Sequence, residues 1–231
     1  MQERDDTTEI ARLEAELAVM ARCVSHDLRQ PLHVISGYVE LISFKYRGLL
    51  DARGVQLIDK AMDGVQRLND MIDALVGLMR LEAHAPRAEV DAGAVLAEVL
   101  IRLGPELAAC GGSIERGSLP IVVANADQLA LVIEHLVRNV LRFPGDGAPH
   151  GRLVAHAQDG FWRFEMHDQG KGIDPRLHAS IFEPFGRGLD PRAGIGMGLA
   201  ICRKILTLHG GGIGVESTPG QGACFWFTLP R

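Results

Sequence analysis

Asp168-Gln169-Gly170-Lys171-Gly172 follows directly on Trp162–Met166, an alternating run that reads as a β-strand. A carboxylate at a strand end can accept a hydrogen bond from an amino group, and alternate glycines let backbone approach a planar or phosphorylated ligand closely. Downstream, Gly194-Ile195-Gly196-Met197-Gly198-Leu199 opens an apolar helical pattern near Gly198–Leu208. Its N–H groups and the helix N-terminus suit phosphates. Upstream, a helix from about Asp127 to Arg142 has an apolar face of Leu129, Val132, Ile133, Leu136, Val137 and Val140. It also carries Asn139, with Arg142 one turn later. An amide oxygen is a fit ligand for Mg²⁺ and a nearby cation suits phosphate. Taken singly, the glycines also fit ordinary turn chemistry, and Asn139 and Arg142 an ordinary solvated helix face. Neither glycine cluster has the Lys-Ser/Thr of a P-loop, and neither opens a βαβ unit with an acidic strand end at dinucleotide-fold spacing.

Around these clusters the pattern predicts a helix from about Ala92 to Ala109 and strands at Ser113–Arg116, Ile121–Ala124 and Leu153–Ala157. Two closing strands follow, Ile213–Glu216 and Ala223–Leu229. Helices and mostly hairpin-linked strands in this order predict an α/β two-layer sandwich. Residues 1–89 are built differently. Of 27 glycines only 5 precede residue 90, as do 2 of the 11 prolines, so long helices are expected there.

The apolar series Ile10, Leu13, Leu17, Met20, Val24, Leu28, Leu32, Ile35, Val39, Ile42 steps by threes and fours. A second series runs Ile58, Ala61, Val65, Leu68, Ile72, Leu75, Met79. Arg47-Gly48-Leu49-Leu50-Asp51 supplies a turn between them, with Asp51 as N-cap of the second helix. One such hairpin has little core of its own, so a homodimeric four-helix bundle is the expectation. Pro31 interrupts the first helix and should bend it at Asp27, whose carbonyl loses its partner. Beside it stands Ser25-His26-Asp27-Leu28-Arg29-Gln30-Pro31-Leu32. His26 lies off the seam and Gln30 shares its face. From spacing alone His26 reads as either an incidental surface histidine or a nucleophile oriented by Asp27.

The 231 residues carry a formal net charge of −5 and are 47% hydrophobic, which excludes disordered and collagen-like classes and gives no nucleic-acid footprint. Cys23, Cys110, Cys202 and Cys224 lack metal-ligand or redox spacing, so reduced thiols in a cytoplasmic protein are expected. No run reaches the length of a membrane span, and the polar, acidic start does not read as a signal peptide.

Taken together the motifs are recognisable. From about Ala21 onward the chain resembles the transmitter module of sensor histidine kinases. Ser25–Leu32 resembles the H box, Gln128–Phe143 the N box, Asp168–Ile173 the G1 box, Ile181–Phe185 the F box and Gly194–Leu199 the G2 box. Leu208-His209-Gly210-Gly211 through Gly222 matches the family's ending. The resemblance implies an α+β chain. Residues 1–20 would be a signalling helix and 21–82 a dimerisation and phosphotransfer hairpin. A linker would span 83–89, and 90–231 an ATP-binding domain of the GHKL (Bergerat) type. It also implies a phosphoacceptor, His26, with Asp27 as its acid–base partner and Gln30 at the position serving dephosphorylation of the regulator. Asn139 would bind Mg²⁺, Arg142 the phosphates, and Phe143 and Phe185 would border the nucleotide. Asp168 would accept from the adenine amino group over Gly170 and Gly172. Gly194, Gly196, Gly198 and Leu199 would flank the phosphates at a mobile lid.

The implied reaction is autophosphorylation of His26 from Mg-ATP, then transfer to an aspartate on a response regulator receiver domain. No receiver-like sequence follows the ATP domain, so the regulator is expected on another chain, with contacts at Arg22, Arg29 and His33. The few residues before the H box leave no room for a sensor, so an upstream sensor domain or protein is expected. The alternative is a nucleotide-binding pseudokinase or phosphatase-only scaffold. Two departures from the family bear on the choice. His135 replaces the first N-box asparagine, which predicts nucleotide affinity that varies with pH near the usual histidine range. The lid segment Arg187–Ala193 is also short. Related GHKL ATPases carry a general-base glutamate at this part of the N box, and its absence argues against simple ATP hydrolysis.

Overall fold

The computed structural model describes residues 27–79, 81, 85–186 and 194–231, and the chain divides into two units after Glu82. His26, the predicted seam before Asp27 and the segment 187–193 lie outside the described residues.

The first unit is a helical hairpin. Helix α1 covers 27–46 and continues through Pro31. A 3-10 turn at Arg47–Leu49 leads to α2, Ala52–Met79. Asp51 caps α2 as expected, its Oδ1 accepting the Gly54 N–H at 2.7 Å and its carbonyl the Val55 N–H at 3.1 Å. Arg29 pairs with Asp73, and Arg47 with Asp59 at 2.9 Å, so the helices run antiparallel. The core is thin: Leu32, Ile72 and Val76 cluster, and Val65 is also buried. Leu28, Ile35 and Ile42, seven residues apart along α1, stay exposed.

The second unit is a two-layer α/β sandwich. It runs β1 (Ala88–Asp91), α3 (Ala92–Arg102), α4 (Gly104–Cys110), β2 (Ser113–Arg116), β3 (Ile121–Ala124), α5 (Ala126–Arg142), β4 (His150–Gln158), β5 (Phe161–Asp168), α6 (Gly198–Leu208), β6 (Ile213–Ser217) and β7 (Ala223–Pro230). The main sheet has the order β2-β4-β5-β7-β6, with β2 parallel to β4 and the other pairs antiparallel. β1 pairs antiparallel with β3 as a separate ribbon. Along β7, Ala223, Phe225, Phe227 and Leu229 are buried, Phe227 opposite Phe164 and Phe225 opposite Met166 of β5, and Ile133 and Leu136 of α5 are buried too. Phe164 and Phe227 stack with ring centres 4.6 Å apart. Burying each such ring contributes about 2–3 kcal/mol.

Two local outcomes differ from the sequence reading. The expected single helix over 92–109 is two, because Gly104-Pro105 removes an N–H and a turn of ladder, and α4 restarts with proline at its first turn. The linker expected over 83–89 runs into strand β1, because the short Ala-Glu-Val-Asp carries no clear alternating pattern of its own and takes its order from pairing with β3.

The ends of α5 and α6 are clasped together. Buried His209, the C-cap of α6, donates from Nδ1 to the Ile205 carbonyl at 2.9 Å, and its Nε2 accepts the Asn125 N–H at 3.1 Å. Asn125 is in turn the N-cap of α5, its side chain accepting the Gln128 N–H and donating to the Pro86 carbonyl. Only a neutral imidazole can make both His209 bonds, and burial lowers its pKa accordingly.

Candidate functional site

Helix α5 buries its apolar stripe against the sheet and α6, which leaves His135, Asn139 and Arg142 on an adjacent stripe at steps of four and three. The Gly194–Gly198 loop crosses this stripe in the opposite sense. A side chain on Gly198 would stand 3.0 Å from His135 Nδ1, and one on Gly194 would stand 2.6 Å from the Arg142 guanidinium. Half-buried Asn139 therefore falls between those two contacts, facing the loop. Gly194 and Gly196 have φ of 65° and 76°, which favours glycine. The loop ends at Met197, which gives α6 no side-chain cap, so the first N–H groups of α6 remain open to an anion.

The far wall is built around Asp168. Its Oδ1 accepts from the Gly170 N–H at 2.7 Å and the Ala223 N–H at 3.0 Å, leaving Oδ2 to accept from a ligand. Burial pushes its carboxyl upward, and the two N–H bonds work against that. Gly170 has no room for a side chain, since the Phe143 carbonyl would lie 2.3 Å from it; that contact joins the end of α5 to the G1 turn. A small pocket beside it is lined by Val140, Pro144, Gly145, His150, Asp168 and Gly170. Gly172, at φ 69°, packs under the Thr218 carbonyl. Phe185 is 44% exposed at a φ of 60°, a backbone state that costs on the order of 1 kcal/mol outside glycine. Glu183 in the same segment is held by Arg203 of α6 through bonds of 2.8 and 3.0 Å. Leu199 is half-buried in the first turn of α6.

Asn139, Arg142, Phe143, Asp168, Gly170 and the Gly194–Leu199 loop thus share one side of the second unit. Asp27 and Gln30 are exposed on α1 of the first unit. Arg29, expected to meet a partner, is engaged with Asp73 within the hairpin. The largest surprise is His135. Its Nε2 is buried with no hydrogen-bond partner, and burial drops its pKa from 6.5 to about 4. The expected titration near the usual histidine range is therefore corrected: the ring is neutral through that range. The contribution of Ala223 was not foreseen either, because it depends on the pairing of β5 with β7.

Residues 17–84 match the family described as His Kinase A (phospho-acceptor) domain. Residues 124–231 match Histidine kinase-, DNA gyrase B-, and HSP90-like ATPase. The chain carries the phospho-acceptor and ATP-binding domains of a histidine kinase module. It is 36% identical over 224 residues to phytochrome-like protein Cph1 of Synechocystis sp., covering 96% of this chain and 30% of that protein. It is 30% identical over 219 residues to the adaptive-response sensory kinase SasA of Prochlorococcus marinus, covering 91% of this chain and 56% of that one. The histidine kinase module therefore spans about three tenths of the phytochrome-like relative's length. Among solved structures, full-length ShkA in complex with AMPPNP superposes with a TM-score of 0.67 at 28% identity, covering 91% of this chain and 45% of that one. The helical hairpin followed by an α/β ATP-binding domain is thus the fold of this kinase module. Among the described residues no helix is long and apolar enough to cross a membrane.

Proposed function

We propose that this module phosphorylates its own His26 from Mg-ATP and passes the phosphoryl group to an aspartate on a response regulator receiver domain. The observation that carries this is the stripe His135–Asn139–Arg142 lying against the Gly194–Gly198 loop, which gathers an amide, a guanidinium and open helix N–H groups in one place. Phosphoryl transfer asks for positioning and charge neutralisation more than covalent machinery, and these groups provide both.

The half-buried Asn139 amide is a hard oxygen donor beside a phosphate-binding loop, which fits Mg²⁺. Bound there, the ion would neutralise charge on the phosphates. Arg142 and the α6 N-terminus hold the phosphate oxygens, and Gly196 and Leu199 shape that loop. Asp168 Oδ2 accepts a hydrogen bond from the adenine amino group above Gly170 and Gly172. Phe143 and Phe185 border the base. On the hairpin, Asp27 orients His26 and takes its proton, while Gln30 orients water for dephosphorylation of the regulator.

The hairpin acts as a homodimer, and residues 1–20 and an upstream sensor deliver the signal. Relatives named as a phytochrome-like protein and as an adaptive-response kinase share this module, so the input is supplied outside it. The boundaries 21–82, 83–89 and 90–231 stand as our division of the module. Incubation with γ-labelled ATP tests the reading. Acid-labile, alkali-stable label should appear in the parent and vanish in His26→Gln and Asn139→Ala. ATP binding without label would instead favour a nucleotide-binding scaffold, the reading that His135 in place of an amide supports.

A further inference from the structure

The sheet's second face, turned away from the helices, carries a group of side chains with no part in nucleotide binding. On β5, Phe164 and Met166 point into the core, so Glu165 and His167 point outward; on β7, Phe225 and Phe227 point in, so Cys224 and Trp226 point out. His167 and Cys224 are direct cross-strand partners. The donor atoms of Glu165, His167 and Cys224 all lie within 4.8 Å of one another, and His167 Nε2 stands 3.2 Å from Glu165 Oε2. Tetrahedral Zn²⁺ with ordinary Zn–N, Zn–O and Zn–S bonds needs donors about 3.4–3.6 Å apart, so small rotations of these side chains suffice.

We propose that Glu165, His167 and Cys224 form a site for one Zn²⁺ ion, with the fourth position open to solvent. A thiolate, an imidazole and a carboxylate select zinc over the hard cations that serve nucleotides. The carboxylate is already aimed: Arg163 holds Glu165 Oε1 at 2.8 Å and Glu216 at 2.7 Å, and lies over the Trp226 ring at 4.6 Å. That leaves Glu165 Oε2 facing His167, an outer-shell arrangement typical of metal sites. Glu216 adds negative charge as the cross-strand partner of Cys224 from β6. A cysteine ligates zinc as its thiolate, so Cys224 gives up its thiol proton when the metal enters. Binding releases that proton to solvent and forms the Zn–S bond.

The test uses the full chain with Cys23→Ser and Cys110→Ser, freed of metal. Zn²⁺ is titrated against a chromophoric chelator, and Co²⁺ is followed by its thiolate charge-transfer band in the near ultraviolet. One equivalent per chain is expected, with the band present. Cys224→Ser should remove the band and weaken binding at least a hundredfold, as should His167→Ala. Arg163→Ala should weaken it about tenfold, as outer-shell changes do. Tryptophan fluorescence of each metal-free variant reports that the fold is kept, and Glu165→Gln serves where Cys224→Ser fails that check. Absence of saturable binding in the parent overturns the proposal. So does one equivalent bound with unchanged affinity and an unchanged Co²⁺ spectrum after Cys224→Ser or Glu165→Gln.

Discussion

At the residue scale, His135 shows how far burial moves a group from its expected chemistry. Folded, its pKa is about 4; unfolded, it returns to 6.5. The neutral ring is therefore favoured by folding. The stability this contributes is complete above pH 6.5 and is lost as pH falls toward 4, on the order of 3 kcal/mol in all. His135→Asn removes that dependence. Both tryptophans, Trp162 and Trp226, lie in the sandwich, so urea melts followed by their fluorescence report this unit. Between pH 7.5 and 4.5 the parent should lose roughly 2–3 kcal/mol more than His135→Asn; equal losses would refute the assignment. The contact with Gly198 makes a second prediction. Gly198→Ala puts a methyl 3.0 Å from His135 Nδ1 and 3.3 Å from Cγ, tighter than ordinary van der Waals contact, so the ring or the loop must shift. Calorimetric binding of a non-hydrolysable ATP analogue should weaken by about tenfold, and His135→Ala in the same chain should recover most of it. Sequence alone shows that an asparagine is replaced at this position. It cannot show an orphaned Nε2, because burial is set by how α5 meets the loop before α6.

At the element scale, the clasp ties the start of α5, the helix that carries Asn139, to the end of α6, the helix that follows the Gly194–Gly198 loop. Losing the Asn125 cap in Asn125→Ala should cost about 1–2 kcal/mol. His209→Ala should cost about 2–4 kcal/mol, since it leaves a cavity and strands the Asn125 N–H. Both are read from the same fluorescence melts, and a loss under 0.5 kcal/mol for His209→Ala would show that the clasp does not hold the helices. The elements themselves were mostly legible. α5 declares itself through apolar residues at steps of three and four, and β7 through strict alternation from Ala223 to Leu229. What escaped was decided by partners. Ala88–Asp91 is a strand only because Ile121–Ala124 lies beside it, and the helix after it breaks where Gly104-Pro105 outweighs a continuing apolar pattern. The site followed the same rule: its glycine motifs announce a ligand, whereas the Ala223 N–H on Asp168 and the meeting of His167 with Cys224 exist only once β5 and β7 are in register.

At the scale of the whole molecule, the described part of the hairpin leaves an apolar seam uncovered. Leu32 turns inward to Ile72 and Val76, but Leu28, Ile35 and Ile42 stand 46%, 49% and 44% exposed on the same helix. Their heptad spacing makes a straight apolar seam, the pattern of helices that pack against another pair. Tyr38, Leu41 and Phe44 are exposed beside it, and Leu57 and Leu68 on α2. Each seam residue is still about half exposed, so covering what remains would contribute about 1 kcal/mol per side chain, repeated on the second copy. Because Ile35 and Ile42 face outward in the single chain, charging them costs the hairpin itself little. Ile35→Asp with Ile42→Asp should therefore leave the helical circular dichroism signal near that of the parent while sedimentation shifts from dimer to monomer. A variant that stays dimeric with its helices intact would place the interface elsewhere. A variant that turns monomeric while still binding ATP would separate the two tasks, nucleotide binding in the sandwich and pairing in the hairpin.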